Sequence, residues 1–275
     1  MSIYPDFYGR FACRAGACRH SCCRGWEIDV DEDSAAYYET VPGELGAKLR
    51  RSITRDAYGA HFLLTEDERC PFLRADGLCE LIRSLGEGAL CDICALHPRF
   101  FEEAGEEALC GLGLSCEAVC ELLLDTAGEL AFINDEDSET MTMPVLLRHL
   151  GLKADPASLR FDGAPPSAEY LRRLAETEAI DRHWPGELAA VAEATPPRLP
   201  VGPRYDRILQ YLLYRQLERA EEAGMERLLR YARESTAFVA AQDALFGTDG
   251  EHLRRFSEQV EYSTENASIL LGLSR

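Results

Sequence analysis

The last third of the chain carries hydrophobic residues at the spacing of an α-helix. Between Tyr205 and Leu217 they recur at i, i+3, i+4 and i+7, and the segment from Met225 to Phe246 repeats the pattern. A third apolar stripe runs from Leu253 to Ile269. Because such stripes must be buried against other elements, residues 204–275 are predicted to form a helical subdomain that packs on the rest of the protein.

The segment before it is divided by helix-breaking residues. Residues 134–139 are polar and acidic, residues 163–167 contain Ala-Pro-Pro, and residues 195–203 hold four prolines. Short helices are expected between them, at 144–150 and 168–180. The sequence therefore predicts a connecting segment over residues 134–203.

The first block, residues 1–133, mixes short patterns. Helices are predicted at 34–40, 44–56 and 116–133. A β-hairpin is expected from strands at 61–65 and 70–73, separated by polar turn residues. The predicted fold is mainly α: a cysteine-rich, metal-binding N-terminal part with a short β-hairpin, packed on a C-terminal helical bundle.

Cysteine is the most informative residue type in this block. The chain has 11 cysteines, and all of them lie between Cys13 and Cys120. An odd number fits poorly with a full set of disulfides, and nothing in the sequence indicates an oxidising compartment. Buried unreactive thiols are a second alternative, but the local density favours metal binding.

The spacing of these cysteines is compatible with more than one metal. Four thiolates can hold Zn²⁺ or an iron–sulfur cluster, but zinc sites usually show two Cys-x2–4-Cys pairs. This chain has one such short pair followed by a histidine, among more irregular spacings, which favours iron–sulfur over zinc. The thiols occur as Cys13-x4-Cys18-x3-Cys22-Cys23, Cys70 with Cys79, Cys91-x2-Cys94-x2-His97, and Cys110, Cys116 and Cys120. His20 and His97 are further possible ligands.

Two familiar cofactor motifs are missing from the sequence. The Cys-x3-Cys-x2-Cys motif of radical enzymes that use S-adenosylmethionine would need a cysteine at Gly25. No Gly-x-Gly-x-x-Gly follows a predicted strand, so the sequence shows no Rossmann-type nucleotide site.

The charge narrows the choice of partner. A net charge of −19 argues against binding to nucleic acid, which requires clustered Lys and Arg, and it favours a basic partner. No stretch reaches the roughly 18 apolar residues of a membrane helix, and residues 1–10 do not resemble a signal peptide. We therefore expect a cytoplasmic protein that does not bind membranes.

These motifs resemble the bacterial flagellin lysine-N-methylase family, part of a wider group of cysteine-rich proteins described as zinc- or iron-chelating. The resemblance is strong over the first 120 residues and weaker beyond them. It rests on Tyr8-x2-Phe11-x-Cys13-x4-Cys18-x3-Cys22-Cys23-x-Gly25-Trp26-x-Ile28-x-Val30-Asp31, Cys70-Pro71-Phe72-Leu73, Gly77-Leu78-Cys79, Gly86-Glu87, Cys94-x2-His97-Pro98-Arg99 and Leu114-Ser115-Cys116.

The resemblance implies a metal-dependent protein lysine methyltransferase that acts on flagellin, with S-adenosylmethionine as methyl donor. The implied cofactor is an iron–sulfur cluster, with [4Fe-4S] the favoured form and zinc the alternative. The implied ligands are Cys13, Cys18, Cys22, Cys23, Cys70, Cys79, Cys94 and Cys116. Cys91, Cys110 and Cys120 look like additions particular to this chain and are predicted not to carry the metal. A non-enzymatic chelator and an iron–sulfur redox protein remain alternatives.

Methyl transfer to lysine requires a neutral amine. With an ordinary pKa near 10.4, deprotonation at pH 7 costs roughly 4–5 kcal/mol, so a proton acceptor is expected. The candidates are Tyr262, Glu261 and Asp31, although Asp31 also has the sequence of a helix N-cap. Tyr262 stands where the family is expected to have a histidine. Trp26 and Arg99 are candidates for binding the donor, each with a structural role as the alternative.

Overall fold

Helices form most of the regular structure in the computed structural model, which describes residues 2–125 and 128–273. The helices are α1 Glu32–Thr40, α2 Gly43–Ser52, α3 Glu80–Leu85, α4 Asp92–Leu96, α5 Glu117–Asp125, α6 Met143–His149, α7 Ala168–Ala175, α8 Trp184–Ala194, α9 Pro203–Tyr214, α10 Ala220–Ala223, α11 Met225–Phe246, α12 Glu251–Val260 and α13 Thr264–Leu271. The strands are β1 Ser2–Pro5, β2 Asp29–Val30, β3 Ile53–Arg55, β4 Ala60–Phe62, β5 Arg99–Ala104, β6 Glu107–Leu112, β7 Ala131–Asn134 and β8 Thr140–Thr142. The predicted mainly α class is confirmed.

The chain divides into two compact units. The smaller unit is Ala12–Pro98, and the larger unit combines the chain up to Phe11 with the chain from Arg99 onward. The boundaries expected after residues 133 and 203 both fall inside the larger unit. Across residues 2–125 and 128–273, no helix is both long and apolar enough to span a bilayer.

The larger unit is built on a five-stranded sheet that the sequence did not predict. Its strand order is β5-β6-β1-β7-β8, with β1 parallel to β6 and antiparallel to β7. The predicted helix over 116–133 is wrong in its second half, because α5 ends at Asp125 and residues 131–134 form β7. Half-buried and buried residues alternate along β7, as expected of a strand. The apolar residues that suggested a longer helix belong to this strand.

Helix α9 ties the C-terminal helices to this sheet. The Tyr211 hydroxyl accepts from the backbone N–H of Leu112 at 2.8 Å and donates to its carbonyl at 2.7 Å. The Tyr214 hydroxyl lies 2.6 Å from the carbonyl oxygen of Ile3 and 2.9 Å from that of Cys110. The apolar stripes after residue 204 therefore share one core with the sheet.

The predicted helical stripes are found with one adjustment. The stripe over 225–246 is confirmed as α11. The stripe after Leu253 is two helices, α12 and α13, separated at residues 261–263. Helix α8 was not predicted.

The smaller unit pairs its strands differently from the prediction. Strand β4 lies between β2 and β3, so its hairpin partner is β3 and not the segment 70–73. The predicted hairpin is therefore wrong. The helix expected over 44–56 ends at Ser52, because Ile53 begins β3. The helix predicted at 34–40 is confirmed as α1.

Candidate metal centre

Five cysteines of the smaller unit share one hydrophobic core. Cys70 and Cys91 are buried, with 7% and 1% of their surface exposed, and Cys23, Cys79 and Cys94 pack against the same cluster. The cluster also holds Phe62, Phe72, Tyr38 and Leu49. All five cysteines are free thiols. Three separate cysteine segments of the sequence therefore meet in one place.

Short backbone contacts bring these segments together. The N–H of Cys70 donates to the carbonyl of Cys23 at 2.9 Å, which joins the first two segments. Leu73 forms a β-bridge with Cys79, so the chain between Cys70 and Cys79 folds back on itself. Cys91 is the N-cap residue of α4, and the N–H of Cys94 donates to its carbonyl at 3.0 Å.

Burial makes negative charge unfavourable on most of these thiols. Burial, together with the neighbouring Cys23, Cys79 and Cys91, raises the pKa of Cys70 to about 12. It also raises the pKa of Cys79. A hydrogen bond between Cys91 and Cys94 lowers the pKa of Cys91 and raises that of Cys94. Several thiolates this close together require a cation to offset their charge.

The chemistry of this donor set fits zinc or an iron–sulfur cluster. Both are soft-ligand centres held by thiolate sulfur. Across residues 2–125 and 128–273, however, no three Cys, His, Asp or Glu side chains are already arranged as metal ligands. Metal binding would therefore require side-chain rotations that bring the clustered thiols around one point.

The other predicted ligands lie outside this core. Cys13 and Cys22 are exposed and Cys18 is half-exposed. Sγ of Cys13 accepts a hydrogen bond from the N–H of Ala15 at 3.3 Å, and the Cys22 side chain is hydrogen-bonded to Cys23. Cys116 belongs to the larger unit. Their assignment as ligands stays a prediction.

Trp26 packs beside the cysteine segments. Its Nε1 donates to the carbonyl of Cys22 at 2.5 Å. Its ring meets the His97 ring edge-on, with the ring centroids 5.4 Å apart. Burial lowers the pKa of His97 to about 4, so this imidazole is neutral at physiological pH. These contacts match the structural alternative for Trp26; binding of the donor stays a prediction.

Asp31 forms the N-cap that its sequence predicts. One carboxylate oxygen accepts from the N–H of Ser34 at 2.8 Å, and the other accepts from the N–H of Asp92 at 2.9 Å. Hydrogen bonds to the charged carboxylate lower its pKa, the bond from Asp92 contributing most. Asp31 therefore ties the start of α1 to the start of α4, beside Cys91.

Arg99 contacts aromatic rings of its own unit. Its guanidinium lies 5.9 Å from the ring centroid of Tyr8 and 5.4 Å from that of Phe11. It also hydrogen-bonds the Tyr8 hydroxyl, which works against the burial that raises the pKa of Tyr8. These contacts fix the orientation of Arg99 within the larger unit.

Glu261 and Tyr262 occupy the turn between α12 and α13. The Glu261 side chain is fully buried, and its Oε1 lies 2.8 Å from Nε of Arg215. The Arg215 guanidinium also lies 4.3 Å from the ring centroid of Phe100. Tyr262 exposes 41% of its surface, while burial around its hydroxyl raises its pKa. Glu261 is thus engaged in an ion pair, and Tyr262 stays protonated at neutral pH.

Cys91 lies outside the family motifs, yet it is buried within the thiol cluster. The signal was present in the sequence, because Cys91 and Cys94 form the short Cys-x2-Cys pair of the chain. Its buried position could not be predicted, because it depends on how the segments around residues 31, 70 and 91 pack together.

Sequence comparison connects the chain to characterised proteins. Over 135 residues, 46% of the chain, it is 29% identical to a lysine-N-methylase of Salmonella typhimurium and 28% identical to one of Salmonella choleraesuis. The chain is a distant relative of the lysine-N-methylases. It is also 27% identical to the flagellar biosynthetic protein FliU of Salmonella muenchen, over the same share of the chain and 79% of that protein.

The similarity to the lysine-N-methylases is partial. The match spans about a third (33%) of the length of the two Salmonella methylases. No family model matches the chain, and no solved structure matches it. The resemblance seen in the cysteine motifs is therefore supported by these relatives, at low identity.

Proposed function

We propose that this protein methylates lysine side chains of flagellin, with S-adenosylmethionine as the methyl donor and a thiolate-bound metal centre as a required component. The main support for the proposal is that separate cysteine motifs come together in the folded protein. The segments around Cys23, Cys70, Cys79 and Cys94, which resemble the flagellin lysine methylases, meet in a single core. The similarity to the Salmonella methylases supports the same activity.

The core thiols are the groups that would hold the metal. Cys23, Cys70, Cys79 and Cys94 are both family cysteines and members of the core cluster. A bound iron–sulfur cluster would neutralise the thiolates. With all four thiols as ligands it would be structural, whereas an iron left without a thiolate would offer the donor a coordination position. Because the ligands come from separate segments, the metal would also stabilise the packing of those segments.

Tyr262 is the candidate residue best placed to contact the acceptor lysine. Glu261 is committed to Arg215, and both oxygens of Asp31 accept backbone hydrogen bonds. Tyr262 is partly exposed and carries a neutral phenol, whose oxygen can accept a hydrogen bond from the lysine nitrogen. In this role Tyr262 orients the amine, and the proton leaves to solvent or to another group.

The acidic character of the chain suits a lysine-bearing substrate. A net charge of −19 attracts surface lysines, and this attraction is screened beyond about 10 Å at 0.1 M salt. We therefore expect the methylation rate to fall as salt is added. A flagellin whose surface lysines are replaced by glutamines should not be modified.

The test is methylation of purified flagellin by anaerobically purified, metal-loaded protein. Mass spectrometry should show one methylene of added mass for each methyl group transferred, located on lysines and dependent on S-adenosylmethionine. Metal-stripped protein should be inactive. If fully metallated protein modifies no flagellin lysine, the proposal is wrong and the chelator alternative is favoured.

A further inference from the structure

Cys91 differs from the other cysteine that is buried to the same extent. Cys91 and Cys120 expose 1% and 2% of their surface. Sγ of Cys120 donates to the backbone carbonyl of Leu114 at 2.9 Å, the usual arrangement of a structural thiol. The Cys91 thiol instead lies in the core cluster with Cys70, and Cys23, Cys79 and Cys94 pack against that cluster. Burial alone therefore does not account for its position.

The arrangement of Cys91 and Cys94 suits a chelating pair. They are the N-cap and third residue of α4, a spacing of i, i+3 that puts both side chains on one face of the helix. Sulfurs about 2.3 Å from one tetrahedral metal lie about 3.8 Å apart. Because both side chains leave the same face of α4, rotations about their side-chain bonds can bring the sulfurs to that distance.

The surroundings of the pair supply further thiols. Cys70 belongs to the same core cluster as Cys91, and Cys79 and Cys23 pack against that cluster. The start of α4 is itself held, because the N–H of Asp92 donates to Asp31 at 2.9 Å. The pair is thus anchored by backbone contacts that do not depend on a metal.

We propose that Cys91 is a metal ligand, and that Cys91 and Cys94 form the chelating pair of the centre while the thiols of Cys23 and Cys70 complete a four-sulfur set. Cys79 then serves as a packing thiol beside the centre. This inference rests on the proposed metal centre and changes its ligand set, because Cys91, which lies outside the family motifs, replaces the family cysteine Cys79.

The test compares Cys91→Ser with the equally buried control Cys120→Ser in the full chain. Iron and zinc are measured in anaerobically purified protein, and reduced metal-free protein is titrated with Co²⁺. We expect Cys120→Ser to match the wild type. In Cys91→Ser, Co²⁺ affinity should fall by more than about 100-fold, since even outer-shell changes cost 10- to 100-fold. At saturation, thiolate-to-cobalt absorption per metal should fall by about a quarter, one ligand of four.

Folding is checked on the metal-free proteins. Circular dichroism of metal-free Cys91→Ser should match that of the metal-free wild type, because serine keeps the size and polarity of the side chain. If it does not, Cys91→Ala is titrated in its place with the same expectation. The proposal is overturned if Cys91→Ser, or Cys91→Ala in its place, keeps the metal content and Co²⁺ affinity of the wild type. It is also overturned if the wild type binds neither iron, zinc nor Co²⁺.

The methylation assay is read separately. If the wild type methylates flagellin and the Cys91 variants keep their metal, only the ligand assignment is wrong. A wild type whose metal depends on Cys91 but which modifies no flagellin contradicts the methylase function alone.

Discussion

The two units of this protein use different kinds of core. The larger unit buries big aliphatic and aromatic side chains between a five-stranded sheet and helices such as α9 and α11. The smaller unit has a shorter sheet and a smaller apolar cluster, in which cysteines occupy positions that larger side chains would otherwise fill. Hydrophobic burial per residue is limited in small domains, and many of them are completed by a metal or disulfides. If the proposed metal centre is correct, the smaller unit is expected to depend on a bound metal and the larger unit is not.

Metal removal should have the largest effect and should be confined to the smaller unit. Structural zinc contributes roughly 10–16 kcal/mol in small metal-dependent folds. After treatment with a chelator under reducing conditions, we expect hydrogen exchange of backbone amides to accelerate strongly within residues 12–98. Amides of α9 and α11 should keep their protection. Equal acceleration in both units would contradict the comparison.

Loss of the buried ion pair should weaken the larger unit instead. Glu261→Gln leaves the Arg215 guanidinium buried without its carboxylate, which typically costs about 3–5 kcal/mol. The free energy of unfolding, measured with denaturant, should fall by this amount while the metal content stays unchanged. Glu169→Gln is the control, because Glu169 pairs with Arg173 at the surface and should cost less than about 1 kcal/mol. A similar cost for both variants would argue against a special role for the buried pair.

Tyr262→Phe should lower activity without changing either core. Removing one neutral hydrogen bond to the substrate costs about 1 kcal/mol, or roughly a five- to tenfold loss of rate. The rate is measured by mass spectrometry of flagellin, with metal content and thermal melting as controls that should not change. A loss of roughly 100-fold or more would indicate that Tyr262 accepts the proton. An unchanged rate would restrict Tyr262 to packing.

The smallest expected effect is a pH dependence of the larger unit. Burial, together with the hydrogen bond that protonated Glu102 donates to the Glu218 carboxylate, raises the pKa of Glu102 to about 7. The folded state then binds a proton that the unfolded state has already lost, so stability should decrease as pH rises from about 4.5 to about 7. Glu102→Gln mimics the protonated acid, and its thermal melting should depend less on pH. An identical pH dependence in wild type and variant would exclude this pair as its source.

Local signals in the sequence were sufficient for part of this description. The 3.6-residue period of α11 is carried by a long segment whose own spacing decides its structure, and the N-cap at Asp31 depends only on residues a few positions away. The cysteine motifs likewise identified the thiol-rich part of the chain. Each of these features is determined by neighbours in the sequence, which is why they could be predicted without a structure.

Other features were decided by tertiary structure. Strand β1 pairs with β6 and β7, more than 100 residues away, and no local pattern encodes that partner. The spacing of the apolar residues of β7 also fits the end of a helix, and only their pairing within the sheet makes this segment a strand. The position of Cys91 among the core thiols depends on how three segments pack together. The role of Glu261 in a buried ion pair depends on Arg215, which is far from it in the sequence. The sequence by itself determined which residue types were available for chemistry, and burial and long-range pairing determined which of them meet.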